Sequence, residues 1–395
     1  MNMSLRKIAD AIGIGPYNEA LDAVYESMTF TDEPAVNIAL IDQLEKEWNL
    51  FREYHELVRA LGIQVNSDEN RSKWVKVTAK YVLDNPCAMA KNIPVPSFDG
   101  TALSMMLPLY THLPSIPLGI ADYRRRGFSD QQIADWMDCY YSAFNIVKHR
   151  TGLPGLNNIY YNWVMNFTKA RIFRTDGLQF ELRQVPDSVV YIKNKTSGEV
   201  LPLMNNKMIH CTGVQILGSE GYEDEEGAFQ AQFREDADAF YGHACVDSKV
   251  EMAAKTFPKT QWEAYLRPGE DCLSIHIPRG TDICAQAMER YIKTAREMVK
   301  RGYPEHKGTA IFGSSWILDP KLAELLGPDS KITCLLNMFL KYPQKSNGNS
   351  VFSFVFDGKP ENLEDLEETT SLHRKLKKLY LDGECIHNYA GIIVE

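Results

Sequence analysis

Leu273-Ser274-Ile275-His276-Ile277-Pro278-Arg279-Gly280-Thr281-Asp282 is the stretch on which the fold turns. Residues 273–277 are rich in β-formers, and a turn bearing Pro278 and Gly280 follows them. Residues 281–301 then place Cys284, Ala287, Met288, Tyr291, Ala295 and Met298 on one helical face. A further apolar run, 308–312, has the length of a strand. Strand, helix and strand in that order imply a parallel pair joined by a crossover inside a mixed sheet. A ligand of such a unit is expected beyond the carboxyl ends of the two strands.

Toward the C-terminus, 320–326 reads as a short helix stopped by Gly327-Pro328. The apolar runs 332–340 and 351–356 have strand length. Residues 363–381 read as a late helix with acids first (Glu364, Asp365, Glu367, Glu368) and bases last (Arg374, Lys375, Lys377, Lys378). That order suits the helix dipole. On the N-terminal side, 178–183 and 188–193 read as strands around a Pro186-Asp187 turn, with 208–217 as a third. Residues 219–238 are acidic and read as a solvated loop.

Before about residue 170 the texture is helical. Residues 37–61 and 133–147 carry apolar side chains at helical spacing. The second run is preceded by Ser129-Asp130-Gln131-Gln132, a capping-box pattern, and would bury Ile133, Trp136, Met137 and Tyr140. The Pro-rich stretch 92–119 reads as an extended, packed connection. The expected organisation is a helical domain over 1–170 and a mixed α/β domain over 171–395, α+β in class as a whole.

Composition narrows the function. Of 395 residues, 44% are hydrophobic and 24% charged, an ordinary soluble balance. The net charge of -9 argues against nucleic acid as the partner, since phosphate backbones need a basic face. No apolar run reaches the ~18 residues of a membrane span, and residues 1–20 lack the apolar core of a signal peptide. Eight cysteines occur without a CxxC pair, so neither a zinc ribbon nor a thioredoxin motif is expected and no metal is implied. A cytoplasmic protein with reduced thiols is expected.

The chemistry-bearing residues gather around the first strand. Free N–H groups at a helix start, with Gly280 allowing close approach and Arg279 supplying charge, suit an anion. Thr281 belongs to the same turn. Asp282 counts against a phosphate unless it, or Thr281, caps the helix. His276 shares a face with Ser274 by alternation and is either a hydrogen-bonded structural histidine or a general base. Cys272 lies roughly 13 Å away along the strand, too far to pair with it. Ser314 and Ser315 follow the next strand at the same mouth. Asp319-Pro320 reads as the cap of the short helix, and His243 as a turn residue. GxSxG and Walker A patterns are absent, which counts against a serine hydrolase and a P-loop NTPase.

Several segments in order resemble a bacterial two-domain family that joins an N-acyltransferase N-terminal domain to a GNAT-like C-terminal domain. They are Tyr123-Arg124-Arg125-Arg126-Gly127, His149-Arg150-Thr151-Gly152-Leu153-Pro154-Gly155, Ile172-Phe173-Arg174, Leu178-Gln179-Phe180-Glu181, Tyr241-Gly242-His243, residues 273–280, and Ser315-Trp316-Ile317-Leu318-Asp319-Pro320. The resemblance covers roughly 120–395 well and the rest loosely. It implies a GNAT fold with acetyl-CoA or another acyl-CoA lying between the two parallel strands. Ile275, Ile277, Arg279, Gly280, Thr281 and Ser314 would then bind the cofactor, and His276 and Ser315 would be catalytic. The implied reaction is attack by a small-molecule acceptor, usually an amine, on the thioester. The loop holds one glycine fewer than the usual Q/R-x-x-G-x-G/A, and no tyrosine acid occurs in 321–326. A GNAT-like module that binds a ligand or protein without transferring an acyl group is therefore the rival expectation, and a thioester hydrolase using water activated by His276 is a third.

Overall fold

The computed structural model describes residues 3–85, 93–97, 99–214, 226–346, 348–356 and 358–394. The chain divides into two compact units, Met1–Arg174 and Thr175–Glu395. The acidic residues 219–225, the tail of the predicted third strand (215–217) and residues 92 and 98 of the Pro-rich stretch lie outside the described residues.

The first unit is built of helices. The 37–61 periodicity becomes two of them, Ile38–Trp48 and His55–Ser67. The break falls at Asn49, whose φ of 50° is left-handed and ends the first helix. Asn37 caps that helix by accepting the Leu40 N–H. The predicted capping box forms: Ser129 accepts from the Gln132 backbone and the Gln132 side chain returns the bond. That helix, Asp130–Met137, buries Ile133, Trp136 and Met137, and a new helix, Cys139–Thr151, carries Tyr140 inward.

The stretch expected to be extended is helical from Ala102 onward. Ala102–His112 and Ile116–Arg125 flank a 3-10 turn, Leu113–Ser115. Pro114 and Pro117 fall in the first turns of their elements, where a missing N–H costs nothing. His112 is fully buried between Tyr140 and Tyr161. Its Nδ1 lies 3.0 Å from the Pro108 carbonyl and its Nε2 2.9 Å from the Tyr140 hydroxyl. A carbonyl only accepts, so Nδ1 carries the proton and Nε2 accepts from Tyr140. The Thr168 hydroxyl sits 2.6 Å from that same Tyr140 oxygen.

The second unit stacks two sheets. The first runs Gln179–Gln184, Asp271–His276, Ala310–Ser315, Tyr389–Ile393, Phe339–Pro343. The second runs Lys255–Pro258, Ala239–Val246, Val200–Met204, Val189–Asn194, Trp262–Leu266. Val189, Tyr191 and Met204 of the second sheet share one core with Cys272, Phe312, Tyr342 and Ile392 of the first. Val200–Met204 contains Pro202, which hid it from a strand reading. His243 lies inside the strand Ala239–Val246, not in a turn, and its Nδ1 is 3.2 Å from the Glu251 carbonyl.

The run 332–340 divides into a helix, Lys331–Asn337, and the strand Phe339–Pro343. The run 351–356 is helical: Asn349–Val355 buries Val351, Phe352 and Val355, a helical spacing too short to be told from a strand by pattern alone. The late helix is Ser371–Leu381, capped by Thr370, with its acidic lead in a separate 3-10 turn, Leu363–Asp365.

The predicted parallel pair is present. Cys272 faces Ala310, Leu273 faces Ile311 and Ser274 faces Phe312. The crossover helix spans Ala285–Gly302 and buries Ala287, Met288, Tyr291, Ile292, Ala295, Met298 and Val299. At the start of the second strand, Gly308 lies against Asp271: a Cβ there would come within 1.8 Å of the Asp271 oxygen. Only glycine lets the two chains approach so closely.

Candidate functional site

The site grows from the place where the parallel pairing stops. The last register partners are Ser274 and Phe312. Both strands continue beyond them. One stays paired on its outer side through His276 and Gln179, the other through Ser315 and Tyr389. Each strand thus follows its outer neighbour, and the two part from each other at their carboxyl ends. Ile275 is buried on one lip of this gap, with Ile277 half-buried just past it. Gly313 and Ser314 form the other lip.

His276 stands at the parting. Ser274 and Glu181 are opposite partners across the antiparallel pair, so they share a face, and His276 shares it by alternation. His276 Nε2 lies 3.0 Å from Glu181 Oε2. The two sites differ in exposure: 31% of the histidine side chain is accessible and 8% of the glutamate's. A carboxylate accepts, so the Nε2–H donates to Glu181. This is the base-plus-orienting-acid arrangement of general-base sites. Glu181 was not singled out as a site residue in the sequence. Its signal was there: one carboxylate between Phe180 and Leu182 in an apolar strand.

The turn after the strand differs from expectation. Thr281 N–H donates to the Pro278 carbonyl, and Gly280, at φ 83°, supplies the left-handed residue of a type II turn. A Cβ at Gly280 would meet nothing within 4 Å, so the backbone is open to an approaching group. The Thr281 hydroxyl donates to the Gly177 carbonyl at 3.0 Å. Both donors of Thr281 are therefore spent on structure. The helix begins only at Ala285, and neither Thr281 nor Asp282 is its cap. Asp282 instead accepts the Cys284 N–H, an Asx-type bond that delays the helix, and pairs with Lys331 at 2.9 Å. The Lys331 ammonium holds the Asp282 carboxyl below the usual range and offsets its charge. The cap residue, Cys284, makes no side-chain cap bond to the first N–H groups of the helix. Arg279 is exposed and makes no ion pair among the described residues.

On the far lip, the Ser314 hydroxyl donates to the Gln344 side chain, and the Gln344 N–H to the Asn388 carbonyl. Ser315 accepts the Ile317 N–H and so caps the following 3-10 turn. Asp319 is 3% exposed and accepts two backbone N–H groups, from Lys321 at 2.9 Å and His387 at 2.7 Å. The first spans Pro320, the residue that precedes the short helix Lys321–Leu326.

Three solved structures share this fold over 99% of their chains and of this one. One is an acyltransferase mutant with octanoyl-CoA, at 18% identity and a TM-score of 0.67. A second is an acyltransferase with decanoyl-CoA and teicoplanin, at 18% and 0.65. A third is an acyltransferase with decanoyl-CoA alone, at 16% and 0.66. Among curated proteins none matches the chain. The family described as "GNAT-like C-terminal domain" matches residues 172–393, more than half of the sequence, and the chain belongs to that family.

Proposed function

We propose that the chain is an acyl-CoA-dependent N-acyltransferase. The observation that carries this reading is the parting of the parallel strands after Ser274 and Phe312 in a GNAT-like unit. A sheet that opens between two strands offers main-chain donors and acceptors to an extended guest, as in strand addition. The pantetheine arm of CoA, with its two amides, is such a guest. The relatives of like fold hold octanoyl- and decanoyl-CoA, which supports a thioester of medium chain length. One of them also holds teicoplanin, which supports a small-molecule acceptor, here an amine.

In this reading Ile275 and Ile277 line the acyl-CoA groove. The pyrophosphate lies against Gly280, Arg279 and the first N–H groups of the crossover helix, near the positive end of its dipole. Thr281 shapes that loop without touching the ligand. Ser314 lines the far lip. His276 takes the proton of the attacking amine while Glu181 fixes the ring and stabilises the imidazolium. The amine attacks the thioester carbonyl, and CoA leaves as the thiol. Ser315 serves the mouth by shaping the turn after the second strand. Acyl-CoA is an intracellular thioester, which supports a cytoplasmic setting, and the family resemblance supports a bacterial one.

The test has two readouts. Octanoyl-CoA at a hundredfold excess over Kd should stabilise the chain by about 2.7 kcal/mol. His276→Ala should keep that stabilisation and lose turnover by about 10²-fold, the scale of a general base. Absence of any shift with acyl-CoA sinks the reading. A shift with no turnover toward any amine leaves a ligand-binding module.

A further inference from the structure

A second chemically competent cluster lies at the same end of the sheet, outside the groove just described. Cys385 Sγ is 3.1 Å from His387 Nε2. His387 is 6% exposed, and Asp319 Oδ2 lies 4.0 Å from its Nδ1. The backbone of His387 donates to that same Asp319 oxygen, which pins the acid beside the ring. Lys321 holds the loop from outside through Glu384 at 2.8 Å. A thiol in contact with an imidazole is the nucleophile and base of covalent catalysis, and the buried Asp319 carboxyl lies beside the ring, beyond hydrogen-bond distance of it.

The other described cysteines lack this arrangement. Cys139, Cys245 and Cys272 are buried in apolar surroundings, which push their thiols up. Cys284 and Cys334 point their sulfur at the Asp282 carboxylate and the Pro328 carbonyl, not at an imidazole. Cys211 is exposed, and its sulfur is 3.7 Å from the His210 ring, farther than Cys385 from His387. Cys385 is partly accessible and the closest to an imidazole.

Position supplies the substrate class. Tyr389, four residues after Cys385, pairs with Ser315 at the carboxyl end of the second parallel strand. Asn388 is tied to Gln344, and Gln344 to Ser314, on the lip of the gap. In the acyl-CoA reading, a thioester carbonyl is presented at that same end of the sheet and is the electrophile offered to this region. We propose that Cys385 is a self-acylation site that takes the acyl group from an acyl-CoA by thiol–thioester exchange, with His387 as its base. This rests on the acyl-CoA reading for its donor. His387 accepts the Cys385 proton, and the thiolate attacks the acyl carbonyl. The new bond joins that carbon to Cys385 sulfur, and the bond to the CoA sulfur breaks. CoA leaves with the proton from His387. One thioester replaces another, and nothing is oxidised or reduced.

The full chain is incubated with octanoyl-CoA and no amine, then measured by intact mass and by peptide mapping. The expected result is one octanoyl group on Cys385, removed by neutral hydroxylamine. Cys385→Ala should abolish it, and His387→Gln should slow it by about 10²-fold. Mapping the unaltered chain keeps the test valid if a variant fails to fold. Thermal shift in the same samples separates the two readings: octanoyl-CoA that binds and leaves Cys385 unmodified overturns this proposal and spares the acyltransferase. An adduct confined to Cys211 or Cys334 overturns it as well. If octanoyl-CoA does not bind, the N-acetylcysteamine thioester of octanoate replaces it. Modification of Cys385 by that probe then sustains the reactive thiol, and its absence ends the proposal.

Discussion

His112 and His276 are the same side chain put to opposite ends by two units of one molecule. His112, in the helical unit, has no accessible surface, and it bonds to a hydroxyl and a carbonyl and packs against two rings, with no carboxylate among these partners. Burial drives its pKa down to about 4, so it stays neutral and serves as a rigid double-ended hydrogen-bonding plate. His276, in the GNAT-like unit, ends a strand with 31% of its side chain open and a buried carboxylate at its back. Burial in apolar surroundings removes a histidine from proton chemistry. A partial opening with a carboxylate behind it makes one available.

Loss of the exposed histidine should produce the largest effect. His276→Ala is expected to cost about 10² in turnover, as set out above, whereas His112→Gln should leave the catalytic constants of the folded protein near those of the parent. If both variants lose turnover alike, the contrast fails. The second effect is on stability. His112 takes no proton in the folded state until about pH 4, while the unfolded chain takes one near 6.5. The sign follows: stability is full above pH 6.5 and falls as pH drops toward 4. From pH 7 to 4.5 this group should account for about 2 kcal/mol of the loss. Urea unfolding followed by far-UV circular dichroism should show His112→Gln losing that much less over the interval than the parent.

The next prediction sharpens the role of Glu181. Glu181→Gln keeps a hydrogen-bond acceptor for Nε2 and removes the charge. Turnover should fall about 10-fold with KM for acyl-CoA unchanged, the scale of one charge-assisted bond. A change in KM alone would make Glu181 a packing residue. The smallest effect is expected where neither burial nor chemistry operates. Glu235 sits between Arg267 and Lys259, at 2.8 Å from each, and the Arg267 hydrogen bonds hold its carboxyl down to about 2. Its partners are a third or more exposed, so solvent screens the pair. Glu235→Gln should cost roughly 0.5–1 kcal/mol at pH 7. This contribution is present above the usual carboxylate pKa of 4.5 and fades as pH falls toward 2, so parent and variant melting temperatures should converge there.

The contrast also explains what could be read without coordinates. The parallel pair and its crossover helix were legible because periodicity and length agree over residues 273–312. The capping box at Ser129 was legible because its bonds are local. The apolar run 351–356 was not, since a seven-residue helix and a strand carry the same short pattern. The Pro-rich stretch misled because proline breaks a helix in its interior and starts one at its first turn. At the site, His276, Arg279 and Gly280 stood out by type. What surrounds them came from elsewhere in the chain: Glu181 reaches His276 across a strand pair, Lys331 reaches Asp282 from a distant helix, and His387 reaches Asp319 from the last loop. A single sequence does not announce such neighbours. Thr281 shows the converse, a residue in the right place whose two donors are already committed.

The parting of the strands after Ser274 and Phe312 has a consequence for the empty protein. A sheet normally has two edges, at its margins. This one acquires two more in its interior, along Ile275 on one side and Gly313 on the other. Interior edges invite any extended peptide, including a neighbour's, to pair with them. Under the proposed function, acyl-CoA would then act as a keystone as well as a reactant, and added octanoyl-CoA should lower the self-association of the protein.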